Sequence, residues 1–167
     1  MILDDLDRHA RERGGERAVV EISAEGSVRE LSWAALKTHA DGVAAALGRL
    51  GVLEGEPVAF QLPNRLEFVT IALGTLRAGG VCEPLMPIFR ERELEFMLRE
   101  SSARVLFVPD EFRGRDHAGM AHGLRAALPD LEHVVVLPEA FGEFLDHMNL
   151  LGIPAAVSRV VPALDQA

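Results

Sequence analysis

Lysine is almost missing from this chain of 167 residues. Lys37 is the only one, and arginine supplies the remaining positive charge. Cysteine is as scarce: Cys82 stands alone, which excludes an intrachain disulfide and a cysteine-rich metal site. It lies in an apolar stretch and is expected to be a buried, inert thiol. An excess of basic residues is also absent. Lys and Arg total 17 against 26 Asp and Glu, a net charge of −9, so nucleic acid and anionic membrane surfaces are not expected partners. No apolar run approaches the roughly 20 residues that span a bilayer. The opening "MILDDLDRHARERG" lacks the basic-then-apolar pattern of an export signal. A soluble, cytoplasmic protein is expected. With 49% hydrophobic residues the chain can bury one real core.

The usual catalytic signatures are missing too. There is no G-x-x-x-x-G-K-[ST], no G-x-G-x-x-G and no G-x-S-x-G. The glycines of "RAGGVC" follow a helix instead of opening one, and read as its C-terminal cap. His117 and His122 are five apart, which does not align them on one helical face. His9, His39, His133 and His147 are scattered, so no metal site is expected. Cys82 has no acid–base partner identifiable from sequence, and the runs "DDLD" and "RERELE" read as solvated helix faces. Glu83 is an acid inside an apolar segment; it is either a buried, paired carboxylate or turned to water, with exposure the favoured expectation. The sequence thus nominates no catalytic, cofactor-binding or metal-binding residue.

What is present is an alternation of elements. "LDDLDRHARERG" predicts a helix with acids in its first turn and arginines in its last, matching the helix dipole. "AVVEI" and "SVREL" predict a hairpin across "SAEG". In the next segment Trp33, Leu36, Ala40, Val43, Leu47 and Leu50 recur at helical spacing, with Ser32 as N-cap and Gly51 just past the end. "PVAFQL" reads as a buried strand stopped by Pro63. Asn64 is then expected to cap a helix, with Glu67 completing a capping box. That helix, "NRLEFVTIALGTLRAGG", is apolar on nearly every side and is expected to be buried on more than one face. Strand "VCEPLMP", helix "RERELEFMLRESS", strand "ARVLFVP", a weaker helix "DHAGMAHGLRAALP" and strand "EHVVVLP" follow. "EAFGEFLDHMNLLG" is a further helix candidate. The order β-α-β-α-β-α-β predicts an α/β fold with a mainly parallel sheet flanked by helices.

The segments "LSW-x-x-L", "LGVLEGEPVAFQLPN", "E-F…L…RAGG" and "PLMPIFRERELEFMLRESSARVLF" are long, ordered and correctly spaced. Together, over roughly residues 2–137, they resemble the N-terminal region of AMP-forming acyl-CoA synthetases in the adenylate-forming ligase superfamily. Two positions depart from the family pattern: Glu83 replaces an asparagine, and Glu56 stands where aspartate is usual. The resemblance implies a partial N-terminal domain over residues 1–150 and a loosely ordered tail over 151–167. For a full-length enzyme it implies activation of a carboxylate with Mg-ATP to an acyl-adenylate, release of pyrophosphate, and displacement of AMP by CoA. It also implies that the phosphate loop, the adenine motif, the ribose-binding aspartate and the mobile-domain lysine lie beyond the matched region. Lys37 matches neither family lysine. The expectation is therefore a front portion that binds no cofactor by itself and is inactive alone. It would be a truncated or split ligase pairing with the missing remainder, or an interaction module that self-associates through the apolar helix 64–80.

Overall fold

The computed structural model describes residues 2–23 and 26–137. Its elements run α1 (Ile2–Glu12), β1 (Arg17–Ile22), β2 (Val28–Ser32), α2 (Trp33–Arg49), β3 (Pro57–Phe60), α3 (Leu66–Arg77), β4 (Val81–Pro84), α4 (Glu91–Ser101), β5 (Val105–Pro109), α5 (His117–Ala127) and β6 (His133–Leu137). The helix candidate beyond Leu137, the boundary at residue 150 and the tail lie outside the described residues.

The four later strands form one parallel sheet in the order β4-β3-β5-β6. Side chains alternate across it, as the pleat requires. Val58, Phe60, Val105 and Phe107 point to one face, where they meet Val43 and Leu47 of α2 and Ile71 of α3. Ala59, Leu106 and Val108 point to the other, against Leu94 and Leu98 of α4 and Ala121 and Leu124 of α5. Both faces are thus covered, which explains why β5 is wholly apolar and buried along its length. β1 and β2 make a separate antiparallel hairpin. Leu31 of the hairpin, Leu6 of α1, Leu36 and Ala40 of α2, and Leu66 and Leu73 of α3 form a third apolar cluster.

Local chemistry sets the helix ends. The Ala35 N–H donates to Ser32 Oγ at 3.2 Å, the cap expected for α2, and Gly51 beyond its end takes φ +80°. Asp116 caps α5 through the Gly119 N–H. Glu93 accepts the Arg90 N–H at 3.0 Å at the start of α4.

The start of α3 differs from the sequence expectation. Its N-cap position is Arg65, not Asn64, and no side chain of that residue caps it. Asn64 is exposed. The Leu66 N–H donates instead to Glu21 Oε2 of β1, at 2.7 Å. Glu67, expected to complete a capping box, is fully buried. It pairs with Arg65 at 3.0 Å and with Arg29 of β2 at 3.4 Å. A carboxylate 45 positions upstream does the work assigned to Asn64, because the hairpin lies across the helix terminus.

The expectation for α3 itself, burial on several faces, holds, with its cover supplied by this chain. Among its large apolar side chains only Leu76 is exposed. Gly74 lets α2 approach closely: a Cβ there would overlap the Val43 side chain. Asp7 of α1, Lys37 and Asp41 of α2, and Arg77 of α3 then tie the three helices by ion pairs.

Two further expectations change. Glu83 is half-buried on the edge strand β4 and accepts a hydrogen bond from Ser101 Oγ at 2.7 Å. Burial raises its pKa and the Ser101 hydroxyl opposes the rise. Cys82 is likewise half-buried, not fully buried. Its thiol donates to the Ala72 carbonyl, and burial pushes its pKa up, away from the reactive thiolate.

Candidate functional site

The strand order creates a switch point. From β3 the chain turns outward to β4, then crosses to β5 on the other side of β3. In open α/β sheets the crevice outside the carboxyl ends of such strands is the favoured ligand position. A cavity of about 640 Å³ opens at that place. Its floor is Leu62, Pro63 and Asn64, which follow β3. Its walls are the β4–α4 loop, with Met86, Ile88 and Arg90, and the β5–α5 loop, with Phe112, Arg113 and Arg115. The stretch read from sequence as strand stop and helix cap is thus also a groove floor.

A side-chain junction holds the three loops together. Gln61 is fully buried. Its Nε2 donates to the Met86 carbonyl at 2.9 Å and to the Phe89 carbonyl at 3.1 Å. Those two carbonyls fix the amide orientation, so Oε1 is the atom facing His117 Nδ1 at 3.0 Å. His117 Nδ1 must then carry the proton, and Nε2 is the bare nitrogen. Nε2 is buried and has no hydrogen-bond partner among the described residues. Burial lowers the His117 pKa, and Arg90 and Arg115 lower it further, against a smaller opposing effect of Asp116. The imidazole is neutral at physiological pH.

The β5–α5 loop is itself a miniature hairpin. Phe112 and Arg115 exchange backbone hydrogen bonds at 3.0 and 3.2 Å. Arg113 and Gly114 between them both take positive φ, 53° and 69°. That is the backbone of a two-residue hairpin turn. It lifts both arginines into solvent, with the Arg113 guanidinium 5.3 Å from the centroid of the Phe112 ring.

Sequence reading missed Gln61, Arg90, Arg113 and Arg115. The available signal was positional: Arg90, Arg113 and Arg115 follow the carboxyl ends of predicted strands by a few residues, whereas Gln61 falls inside the predicted strand "PVAFQL" and carried no such signal. The histidines separate. His117 is buried in the junction, His122 is exposed on α5, and His39 is buried on α2. Among the described residues no three His, Cys, Asp or Glu side chains are arranged to hold a metal ion. No helix among them is long and apolar enough to cross a membrane.

The family model described as AMP-binding enzyme matches residues 6–154. The chain belongs to that family. Similar AMP-binding enzymes include 2-hydroxy-7-methoxy-5-methyl-1-naphthoate–CoA ligase of Streptomyces carzinostaticus. It is 37% identical over 112 residues, which are 67% of this chain and 20% of that protein. 2,3-Dihydroxybenzoate–AMP ligase of Bacillus subtilis is 29% identical over 93% of this chain and 28% of its own length. The acetoacetyl-CoA synthetase structure from Streptomyces lividans superposes with TM-score 0.76 at 28% identity. It covers 96% of this chain, which spans 26% of that one. This AMP-binding chain therefore spans between a fifth and somewhat over a quarter of each of these relatives. The α/β fold with its flanked parallel sheet is the fold of adenylate-forming ligases.

Proposed function

We propose that this chain is the amino-terminal part of a ligase that activates a carboxylate with ATP, and that it does not catalyse adenylation alone. The full-length enzyme would use ATP, Mg²⁺ and CoA and release AMP and pyrophosphate. One observation carries the second half of the proposal. Lys37, the only lysine, is committed on α2 to Asp41 and Asp7, and so cannot stabilise charge developing on a transferring phosphoryl group. Purified chain should give no ATP–pyrophosphate exchange above background with a panel of aryl and fatty acids. Exchange with any of them would overturn the claim of inactivity. The parent ligase would be cytoplasmic, with residues 1–150 forming part of its N-terminal domain and 151–167 a tail.

A second reading is a non-catalytic interaction module that pairs with the remainder of the ligase or with itself. Its support is a set of exposed apolar side chains outside α3: Ile22, Leu53, Ile88 and Phe96 are each about two-thirds exposed. Light scattering should then show association. A clean monomer that binds no apolar dye would end this reading.

A further inference from the structure

The hairpin β1–β2 is a sheet of two strands, so β1 has an edge with no strand beside it. The Ser23 N–H donates to the Ser27 carbonyl at 2.9 Å. Cross-strand bonding alternates along an antiparallel pair. Counting back from Ser23, Glu21 and Val19 bond to β2, while Val20 and Ile22 turn their N–H and C=O outward. Among the described residues no backbone hydrogen bond outside the hairpin engages either. Their side chains are 45% and 70% exposed, and Val28, across from Ile22, is 44% exposed. A hollow of about 340 Å³ runs beside them; it touches each of residues 19–22 and no residue of β2. Successive residues of a strand face opposite ways. A hollow that meets four in a row therefore lies along the edge of the strand, on the side away from β2. Its floor is Leu66, Phe68 and Val69 of α3. An edge of this kind is a template for a further strand, and proteins commonly blunt it with lysine or proline. The edge strand β4 of the other sheet carries Pro84; β1 carries neither residue.

A strand seated there places one set of side chains on the α3 floor and the alternate set beside Val20 and Ile22. Both sets meet apolar groups, so the match is a strand apolar on both faces, the kind buried inside a folded domain. A second copy of β1 is a poor match. Turned antiparallel so that Val20 meets Ile22 of the copy, it sets Glu21 directly opposite Glu21, two like charges at the closest cross-strand spacing. The length of the relatives points to another source, since most of each relative lies outside the stretch that this chain covers. We infer that an apolar strand from the remainder of the ligase pairs with the free edge of β1 at Val20 and Ile22, over the α3 floor. This rests on the reading of the chain as the amino-terminal part of a longer enzyme. Glu21 keeps edge and floor in register, because its carboxylate accepts both from Arg29 of the hairpin and from the Leu66 N–H that opens α3.

Amide hydrogen exchange of the 167-residue chain, followed residue by residue by NMR, tests this. The probe is a short all-valine peptide flanked by lysines, at about 1 mM. In the chain alone the Val20 and Ile22 amides should exchange freely, while those of Val19 and Glu21 are protected by β2. The peptide should slow exchange at Val20 and Ile22 about tenfold and leave the amides of β4 unchanged. The same peptide N-methylated at every valine has no donors for the edge, and a Ser-Gly peptide of equal length has no side chains for the floor. Each should slow the two amides by less than about twofold. No slowing, equal slowing by the N-methylated peptide, or equal slowing at β4 would each overturn the inference. So would protection of Val20 and Ile22 in the chain alone, which when it grows with protein concentration marks a second copy on the edge. ATP–pyrophosphate exchange by the chain alone would instead strike the amino-terminal reading, and with it the source of the strand, while the peptide result still decides the edge.

Discussion

Glu21→Ala should destabilise the domain by about 3 kcal/mol, while Asn64→Ala should change stability by no more than about 0.5 kcal/mol. The Glu21 carboxylate makes three close contacts from the hairpin. Its oxygens receive Arg29 Nη2, each at 2.6 Å, and Oε2 also accepts the Leu66 N–H that opens α3. Its side chain is only 14% exposed, and Arg29 is 30% exposed. Removing Glu21 uncaps α3, a loss of about 1 kcal/mol. It also leaves Arg29 to a longer contact with the buried Glu67, in surroundings where breaking an ion pair costs more than at the surface. Glu21→Gln keeps an acceptor for the helix but not the charge for Arg29, and should fall between. Urea unfolding of the three variants decides the matter. A loss at Asn64 equal to that at Glu21 would show that the cap is local after all.

That contrast also marks where the fold was legible in sequence. Elements whose cause is local could be read directly. The Ser32 cap sits next to the helix it serves, the α2 stripe repeats at 3.6 residues, and the apolar run "VLFVP" is a strand covered on both faces. The cap of α3 could not be read, because its acceptor is 45 residues away on a different sheet. Glu67 looked like a helix-start acid and is an internal ion-pair partner. Glu83 looked like a surface acid and is held at 2.7 Å by a serine at the far end of α4. In each case the sequence names the residue and only the tertiary arrangement names its partner.

The groove was opaque for a related reason. Its floor and both walls come from three loops brought together by the crossover from β4 to β5, and no two of them are adjacent in sequence. Gln61 reads as one more residue of an apolar strand, yet it is the junction that fixes the Met86–Phe89 segment and the first residue of α5. Arg113 and Arg115 flank a glycine in a short polar stretch with no periodic signal. Resemblance could supply the family, because that depends on ordered segments along the chain. It could not supply the site, which depends on the strand order.

Acid should unfold this domain in two stages, and the first belongs to histidine. His39 is buried on α2, and burial lowers its pKa from 6.5 to about 4. A depressed folded-state pKa means that the unfolded chain binds the proton first. The stabilisation is fully present above pH 6.5 and is lost as pH falls toward the folded value. The loss is about 2 kcal/mol by pH 5 and about 3 kcal/mol by pH 4. His117 is lowered in the same direction and adds to it. The carboxylates whose pKa values are held down, such as Glu56 by the Leu53 N–H and Arg104, and Asp7 by Arg77, keep their charge until lower pH. Their stabilisation disappears in a second, more acid stage. Glu83, with a raised pKa, acts in the opposite sense and stabilises slightly as it takes up its proton. Urea midpoints measured from pH 7.5 down to pH 4.5 should therefore fall steeply below pH 6.5. The His39→Leu variant, which has no proton to bind at that position, should show a clearly shallower fall over the same range. An unchanged slope in that variant would assign the acid sensitivity elsewhere and remove His39 from the account.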